Sequence, residues 1–305
     1  MKNILVVGSL NMDIVLQVDT IPVAGETVLG RDLRYSCGGK GANQAFAAGR
    51  FEGNVEMLGC VGKDGFGDEI VRNLTSVGVK ADAIGRIESQ NTGTAVINVE
   101  NSGNNNIVVI SGANKNCDEI YLRANDDAFK RCDYMLLQME IPQEAAWYAI
   151  NRVKELGKTV ILNPAPAPDL LPEGIAGKLD YIIPNETELI RLSKCKDDSM
   201  DEMKFGAERL IEEGVESVIV TLGSRGSMLV QKDFFELFPP IPVRAIDTTA
   251  AGDCFCAAFV VALANGKNPA EAITFATIAA GLAVTKRGAQ DSVPYRTEID
   301  EYRIS

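Results

Sequence analysis

The sequence contains no histidine, and this absence excludes a large part of enzyme chemistry. Serine-histidine-aspartate catalysis, cysteine-histidine catalysis, histidine-ligated zinc and imidazole proton shuttles are all ruled out. A general base in this chain must therefore be an aspartate, glutamate, lysine, cysteine or tyrosine side chain.

Paired cysteines are missing as well. The seven cysteines are odd in number and scattered, and none forms a C-x-x-C pair. We expect reduced thiols that fill small apolar sites, not a disulfide framework or a metal site. Cys254 and Cys256 flank a helix start discussed below, but packing is the commoner role for cysteine.

Long apolar runs and excess positive charge are also absent. No run is long enough to span a bilayer, and the one after Lys2 is too short for a signal peptide, so we expect a cytoplasmic protein. The formal net charge of −12 argues against a nucleic-acid partner and against an anionic membrane surface. An anionic substrate must then be received by local positive features.

Helical and strand patterns alternate along most of the 305 residues. This alternation predicts an α/β fold with a mainly parallel central sheet and helices on both faces. The predicted helices span 42–51, 66–77, 143–156, 204–213, 253–264 and 270–284. The predicted buried strands span 4–7, 55–60, 134–137, 159–162, 181–183 and 217–220. No repeat or linker is evident, so we expect one domain over 1–305.

Two further pairs of predicted strands fall outside the alternation of helices and strands that forms the main sheet. Strand 14–18 pairs with 27–35, and strand 94–99 pairs with 107–110 across the turn 101–104. We expect a small accessory sheet, inserted at approximately 12–36 and 92–111, that acts as a lid over a cleft. The cleft should lie beyond the carboxyl ends of the main strands, where polar residues follow: Gln138, Glu140, Asn163, Asn185, Glu188, Thr221 and Gly223.

The most informative stretch runs from Asp247 to Asp253, directly before the apolar run 254–264. A small-residue turn that opens a helix aims unpaired backbone N–H groups at one point, and the helix dipole adds positive charge there. Asp253 on the same turn would place a proton acceptor beside this anion cradle. The combination indicates phosphoryl transfer to a hydroxyl, although Asp253 as a simple helix cap is the alternative.

The glycine-rich stretch from Gly38 to Gln44 lacks the spacing of a P-loop, and no G-x-G-x-x-G follows the first strand, which weakens a dinucleotide-dehydrogenase interpretation. Lys40 at a predicted helix start favours a bound anion or polyol, because the helix dipole alone disfavours it there. Asp13 fits either sugar hydroxyls or an Asx turn. The stretch 221–226 fits either phosphate-binding amides or a hairpin turn before 227–231.

In joint order and spacing, these segments resemble the PfkB family of sugar kinases. The resemblance runs from Gly8–Asp13 to Gly288–Pro294, through 38–44, 163–167, 184–188, 221–226 and 247–253. It implies an α/β domain with a β-sheet lid that closes over a sugar and is often shared between the subunits of a homodimer. It also implies ATP as co-substrate, with Mg²⁺ and K⁺ as cofactors.

The resemblance also implies residue roles. Asp253 would be the general base, and the anion hole would be formed by Ala250, Ala251 and Gly252. The sugar would be bound by Asn11, Asp13, Gly39, Lys40, Asn43, Glu140 and Asp253 itself. ATP would be met by Asn185, Thr221, Gly223, Gly226, Gly252 and Thr277. Water-bound Mg²⁺ would be organised by Asn185 and Glu188, and K⁺ would lie near Asp247, Thr249, Ala283, Lys286, Gly288 and Ser292.

Within this family, the leading expectation is ATP-dependent phosphorylation of D-ribose at its 5-hydroxyl. The alternatives are a kinase for deoxyribose, fructose or 2-keto-3-deoxygluconate, and a catalytically silent sugar or nucleotide sensor. Cys256 and Ala257 stand where Asn and Gly commonly follow the base, and Thr277 stands near adenine where His or Asn is common. None of these departures removes the base, so we expect an active enzyme.

Overall fold

The computed structural model describes residues 1–100, 102 and 104–302. The strands are β1 (Asn3–Val7), β2 (Asn11–Val18), β3 (Gly30–Gly38), β4 (Asn54–Gly62), β5 (Ile84–Ile87), β6 (Gly93–Glu100), β7 (Asn105–Ile110), β8 (Tyr134–Leu137), β9 (Thr159–Leu162), β10 (Tyr181–Ile182), β11 (Ser217–Thr221), β12 (Ser227–Gln231) and β13 (Phe234–Phe238). The helices are α1 (Lys40–Arg50), α2 (Gly65–Ser76), α3 (Glu119–Ala124), α4 (Asp126–Arg131), α5 (Gln143–Glu155), α6 (Glu186–Ser193), α7 (Met200–Glu212), α8 (Ala251–Ala264), α9 (Pro269–Ala283) and α10 (Arg296–Glu301).

The larger of two sheets has nine strands in the order β13-β12-β11-β10-β9-β8-β1-β4-β5. The seven strands β11, β10, β9, β8, β1, β4 and β5 pair in parallel with their neighbours in this order. Strand β12 pairs antiparallel with both β11 and β13. The prediction of a mainly parallel central sheet is therefore confirmed. No helix in the described residues has both the length and the apolar character needed to cross a membrane.

The central strand β1 shows how helices cover both faces of this sheet. Its side chains alternate, so that Ile4 and Val6 pack into one buried cluster while Leu5 and Val7 pack into another. The first cluster contains residues of α1, α8 and α9, and the second contains residues of α5, α6 and α7. Helix α8 is buried around nearly its whole circumference. This explains why its sequence is apolar throughout instead of amphipathic.

The smaller sheet has the order β3-β2-β6-β7. Strand β2 pairs antiparallel with β3 and in parallel with β6, and β6 pairs antiparallel with β7. Both predicted hairpins thus join one accessory sheet, as expected. Two residues of the predicted turn 101–104, numbers 101 and 103, lie outside the described residues.

Several predicted boundaries are wrong in detail. The strand predicted at 27–35 is β3, which begins at Gly30 and continues to Gly38 because Gly38 pairs with Asn11. Strand β2 begins at Asn11, so Asn11 and Asp13 lie inside a strand and the Asx-turn alternative is wrong. The helix predicted at 204–213 begins earlier, where the Ser199 side chain accepts a hydrogen bond from Glu202 N. Elements that the sequence did not predict are α3, α4, α6, α10, β5 and β13.

Candidate active site

Helix α8 opens with a sharp backbone turn. Ala250, which precedes it, has φ 56° and ψ 15°, in the left-handed region. The first turn then closes with a hydrogen bond of 2.9 Å from Cys254 N to Ala250 O. N–H groups in a first helical turn lack intrahelical partners, and a Cβ placed on Gly252 would meet no atom within 4 Å. The helix start therefore faces open space and is suited to receive an anion.

The Asp253 carboxylate lies on this first turn and is only 6% exposed. Its Oδ2 accepts a hydrogen bond of 3.0 Å from Asn43 Nδ2, and its Oδ1 accepts one of 2.9 Å from Gln44 Nε2. Both donors come from helix α1. A carboxylate has about four lone-pair sites, so two remain for a substrate proton. The simple-cap alternative does not describe Asp253, because Ala250 occupies the N-cap position and both Asp253 oxygens accept from side chains of α1.

A cavity of about 160 Å³ opens at the start of α8. Its wall combines that helix start with residues at the carboxyl ends of β9, β10 and β11, which is where ligands bind in open α/β sheets. The lining residues are Lys40, Asn163, Ala165, Ile183, Asn185, Glu188, Thr221, Thr248, Ala250, Ala251, Gly252, Asp253 and Cys256. The proposed base, the anion hole and part of the predicted ATP site thus share one cavity. A smaller cavity of about 40 Å³, lined by Asn3, Glu56 and Arg131 among others, lies at the amino ends of the strands, away from this chemistry.

Lys40 supplies the local positive charge in an otherwise acidic neighbourhood. The negative charge of Asp253 raises the pKa of its ammonium group; burial opposes the rise, and Glu140 and Glu188 add to it. Lys40 is also the first residue of α1, and its backbone N–H donates to Glu140 Oε2 at 3.1 Å. Glu140 thereby offsets the unfavourable placement of a lysine at a helix N-terminus.

Asp13 forms a group of three neighbouring carboxyl groups with Glu140 and Asp253. Burial raises the pKa of Asp13 to about 7, and the charges of Glu140 and Asp253 contribute to the rise. Glu140 also accepts a hydrogen bond of 2.5 Å from Ser9 Oγ. A half-buried carboxylate that has no cationic hydrogen-bond partner among the described residues is suited to accept hydrogen bonds from the hydroxyls of a polyol.

Asn11 lies beside this group, and its amide orientation is fixed by Asn114. Asn11 Oδ1 accepts a hydrogen bond of 2.7 Å from Asn114 Nδ2, which leaves Nδ2 of Asn11 as the ligand-facing donor. Asn114 Oδ1 accepts from Leu10 N at 2.9 Å. Gly39 packs tightly against the same segment: its φ is +85°, and a Cβ there would lie 2.8 Å from Asn11 N. No side chain fits at this glycine.

Asn185 and Glu188 form a capping box at the start of α6. Glu188 N donates to Asn185 Oδ1 at 2.8 Å, and Asn185 N donates to Glu188 Oε2 at 2.9 Å. Burial raises the pKa of Glu188, while the hydrogen bond from Asn185 and the Lys40 charge oppose the rise. The cap uses one carboxylate oxygen, so Glu188 retains Oε1 at the cavity wall.

Asp247 joins the loop before α8 to the loop after α9. Its Oδ1 accepts from Thr249 N and its Oδ2 accepts from Gly288 N, both at 2.9 Å. Burial raises the pKa of Asp247, but these hydrogen bonds and the Arg287 charge outweigh it, so the pKa lies below its usual value. The two segments predicted to bind a monovalent cation are therefore tied together at this residue.

The remaining residues predicted near that cation make local contacts. Lys286 N donates to Ala283 O at 3.0 Å, and Lys286 Nζ donates to Glu298 at 2.8 Å. Ser292 Oγ donates to Ala289 O at 2.8 Å. In the described residues, no group of three or more His, Cys, Asp or Glu side chains is arranged to hold a metal ion.

Three predicted nucleotide-binding residues lie outside the cavity wall. Gly223 and Gly226 belong to the loop between β11 and β12, which pair antiparallel from Thr221 opposite Ser227, so the hairpin alternative describes this stretch structurally. Both glycines have positive φ. The hydroxyl of Thr277 is buried and has no hydrogen-bond partner in the described part of the chain.

The sequence does not predict that several buried side-chain amides form a connected hydrogen-bond network. Gln44, Gln138, Asn163 and Gln290 all lie in motifs or at strand ends that the sequence singled out. The fold is needed to show that Gln44 contacts Gln138, Asn163 and the base, and that Gln290 contacts Asn43. Asn114 was missed altogether. The sequence signal for it is weak: a polar residue two positions after Gly112, in a stretch rich in turn-forming residues.

The sequence pattern of the pfkB family of carbohydrate kinases matches residues 1–296. The chain belongs to this family. This carbohydrate kinase is similar to the ribokinase of Bacillus subtilis, with 40% identity over 301 residues that cover 99% of both chains. It is also similar to the deoxyribokinase of Salmonella typhi, with 36% identity and 98% of each chain covered.

A solved structure extends the comparison. The ribokinase of Arabidopsis thaliana, complexed with ribose and ATP, superposes on this carbohydrate kinase with a TM-score of 0.92. The two sequences are 33% identical, and the match covers 98% of each chain. The ribokinase-like architecture expected from the sequence is thereby confirmed.

Two departures from the usual sequence pattern lie behind the base of this carbohydrate kinase. Cys256 and Ala257 are both buried, and Cys256 lines the cavity wall. Burial is the main cause that raises the pKa of the Cys256 thiol well above its usual value, and the charge of Asp253 adds to the effect. Cys256 is therefore a neutral wall residue and not a nucleophile.

Proposed function

We propose that this carbohydrate kinase transfers the γ-phosphoryl group of ATP to the 5-hydroxyl of D-ribose. The observation that carries the proposal is the buried Asp253 carboxylate on the first turn of α8, beside open helix N–H groups and the Lys40 ammonium. The similarity to ribokinases, one of them complexed with ribose and ATP, supports the choice of both substrates.

The proposed reaction moves one proton to Asp253 and one phosphoryl group to the sugar. Asp253 accepts the proton of the sugar hydroxyl while the oxygen of that hydroxyl bonds to the γ-phosphorus of ATP. The bond from the γ-phosphorus to the bridging oxygen breaks, and ADP leaves. The backbone N–H of Gly252 neutralises charge on the moving phosphoryl group, together with that of Ala251, which in this structure also donates to Thr248 O at 3.2 Å. Lys40 adds a full positive charge. Ala250 sets the turn that exposes these groups.

We assign the sugar to residues at the start of the lid strand β2 and at the start of α1, next to the cavity. Asp13 and Glu140 accept hydrogen bonds from its hydroxyls, and Asn11 donates through Nδ2. Gly39 lets the start of α1 pack against the backbone at Asn11, which brings both segments to the sugar, and Lys40 and Asn43 flank the reacting end. The ATP phosphates are assigned to Asn185, Thr221 and the start of α8, and the rest of the nucleotide to Gly223, Gly226 and Thr277.

Mg²⁺ fits the residues at the cavity wall. The Oε1 of Glu188 is not used by the capping box, and no acidic cluster in the described residues would hold the ion by itself. Such a donor set suits an ion bound mainly by phosphates and water, with Asn185 and Glu188 ordering the water. When bound, Mg²⁺ neutralises charge on the β- and γ-phosphates.

A monovalent cation, K⁺ in our proposal, fits the loops joined by Asp247. Its oxygen donors would be Thr249, Ala283, Lys286, Gly288 and Ser292, mainly through backbone carbonyls, with Asp247 fixing the two loops. The structural support is the pair of hydrogen bonds from Thr249 and Gly288 to the Asp247 carboxylate. Such a cation would steady the turn that leads into α8.

The lid sheet bears on the domain and subunit organisation that we propose. The insertions 12–36 and 92–111 form one sheet, which we take as the lid of a single domain spanning 1–305. The proposal that this sheet is the interface of a homodimer is supported by exposed apolar side chains on β3 and β7: Leu33, Tyr35, Ile107, Val108, Val109 and Ile110. Seven free thiols support a reducing, cytoplasmic location.

The test is an assay of ADP and sugar phosphate with ATP, Mg²⁺ and K⁺ against ribose, deoxyribose, fructose and 2-keto-3-deoxygluconate. Deoxyribose is the second candidate, because a deoxyribokinase is 36% identical to this chain. We expect the highest kcat/KM for ribose and a loss of activity when either cation is omitted. Sugar binding without ADP release would indicate a sensor, and a higher kcat/KM for any other sugar would overturn the substrate.

A further inference from the structure

Gln44 occupies an unusual position beside the base. It is fully buried, it does not line the cavity, and its Nε2 donates to Asp253 Oδ1 at 2.9 Å. We infer that Gln44 is a positioning residue that fixes the plane of the Asp253 carboxylate for proton abstraction. The inference rests on the proposed role of Asp253 as the base.

The carboxylate is held from both sides by neighbouring residues of one helix. Asn43 binds Oδ2 and Gln44 binds Oδ1, so rotation of the carboxylate about its Cβ–Cγ bond would break both hydrogen bonds together. Asn43 is itself held, because its Oδ1 accepts from Gln290 Nε2 at 3.0 Å. Two fixed donors on opposite oxygens leave one defined orientation for the remaining lone pairs.

The orientation of Gln44 is in turn fixed by two further amides. Gln138 Nε2 donates to Gln44 Oε1, which obliges Gln44 to present its donor side to Asp253. Gln44 Nε2 also donates to Asn163 Oδ1 at 3.1 Å, and Asn163 Nδ2 donates to Ile183 O at 2.9 Å. Gly8 leaves room for this arrangement, because a Cβ there would lie 2.1 Å from Gln138 Oε1.

This arrangement predicts a kinetic signature. Gln44 does not reach the cavity, so its loss should leave substrate binding unchanged. Without its donor, the Asp253 carboxylate samples other orientations, and misplacement of a reacting group by about 1 Å costs up to about 100-fold in rate. The loss should therefore appear in kcat and not in KM.

The experiment compares Gln44→Met with the double variant Gln44→Met/Gln138→Met, using the sugar that the unsubstituted enzyme phosphorylates best. The single variant leaves the Gln138 amide buried without its partner, which lowers Tm. The double variant removes both members of that pair, so Tm should recover toward the original value. Gln231→Met is the matched control, because Gln231 donates to Ser217 Oγ at 2.8 Å at a distance from the cavity.

We expect kcat to fall about 10- to 100-fold in both Gln44 variants, with KM for sugar and ATP unchanged and Gln231→Met fully active. A merely structural role would make kcat recover together with Tm in the double variant, and that result would overturn the inference. So would a kcat close to that of the unsubstituted enzyme in Gln44→Met. If the unsubstituted enzyme phosphorylates no sugar, the proposed function fails, and the inference fails with it.

Discussion

At the scale of single residues, the arrangement of charge around Lys40 governs binding. The charges of Asp253, Glu140 and Glu188 all act on this one ammonium group, and those of Glu140 and Asp253 also act on Asp13. Burial, with the charges of Glu140 and Asp253, raises the pKa of Asp13 to about 7. Near neutral pH, Asp13 is therefore only partly ionised before the sugar binds.

This pKa predicts a pH dependence of sugar affinity. Sugar hydroxyls donate to the ionised form of Asp13, so binding favours loss of its proton and should strengthen as the pH rises from about 6 to about 8, then level off. Calorimetric titration with ribose measures the Kd at each pH. Asp13→Asn should bind ribose weakly and without this pH dependence. An affinity in the unsubstituted enzyme that falls or stays constant over the same range would contradict the assignment.

At the scale of elements, two helices start with the same capping box in different surroundings. Asn185 with Glu188 begins α6 at the cavity wall, and Asn268 with Glu271 begins α9 without lining the cavity. In both boxes the asparagine Oδ1 accepts from the backbone of the glutamate. If substitution of Asn185 weakens nucleotide binding and substitution of Asn268 does not, the cause is therefore the position of Asn185 at the cavity and not the loss of a helix cap.

Asn185→Ala and Asn268→Ala should each lower the free energy of unfolding by about 1 kcal/mol, the typical contribution of an N-cap. Only Asn185→Ala should also raise the KM for ATP, by about tenfold, which corresponds to one lost hydrogen bond of about 1.4 kcal/mol. Chemical denaturation and initial-rate kinetics give the two quantities. Equal KM values in both variants would remove Asn185 from the nucleotide site.

The same scale shows what sequence patterns can predict. The helices at 42–51, 143–156 and 253–264 were found because their apolar periodicity or length is strong. Helix α6 was missed, since eight residues with three buried positions give little periodicity. Strand β13 was missed because its side chains are mostly exposed and its pairing with β12 is what makes it a strand.

In the site, too, features within one sequence motif are predictable, whereas contacts between distant residues are not. Residues within one motif, such as Asp253 with Ala250 to Gly252, were predictable because backbone geometry at a helix start follows from local sequence. The contacts from Gln44 to Asp253 and from Asn114 to Asn11 join residues that are far apart in the chain. Such contacts depend on how α1 packs on α8 and how the lid returns to the main sheet, which no local pattern encodes.

At the scale of the whole molecule, the lid exposes apolar side chains that a single chain does not cover. Val108 and Ile110 on β7 are 60% and 57% exposed. The double variant Val108→Glu/Ile110→Lys should convert a dimer into monomers in analytical ultracentrifugation, because buried charges oppose association. Ile120→Glu is the matched control, since Ile120 is 78% exposed on α3, outside the lid. A monomeric unsubstituted protein, or a dimer that survives the lid substitutions, would contradict the interface.

The central claim concerns the whole site and depends on one carboxylate. Asp253 is the group held by both Asn43 and Gln44 at the mouth of the anion hole, so its removal should abolish proton abstraction and little else. The direct measurement is kcat of Asp253→Ala with ATP and ribose, at a temperature well below its Tm and with the Kd of both substrates measured in parallel. We predict a fall in kcat of about 10² to 10⁴ with both substrates still bound. A kcat near that of the unsubstituted enzyme would contradict the account.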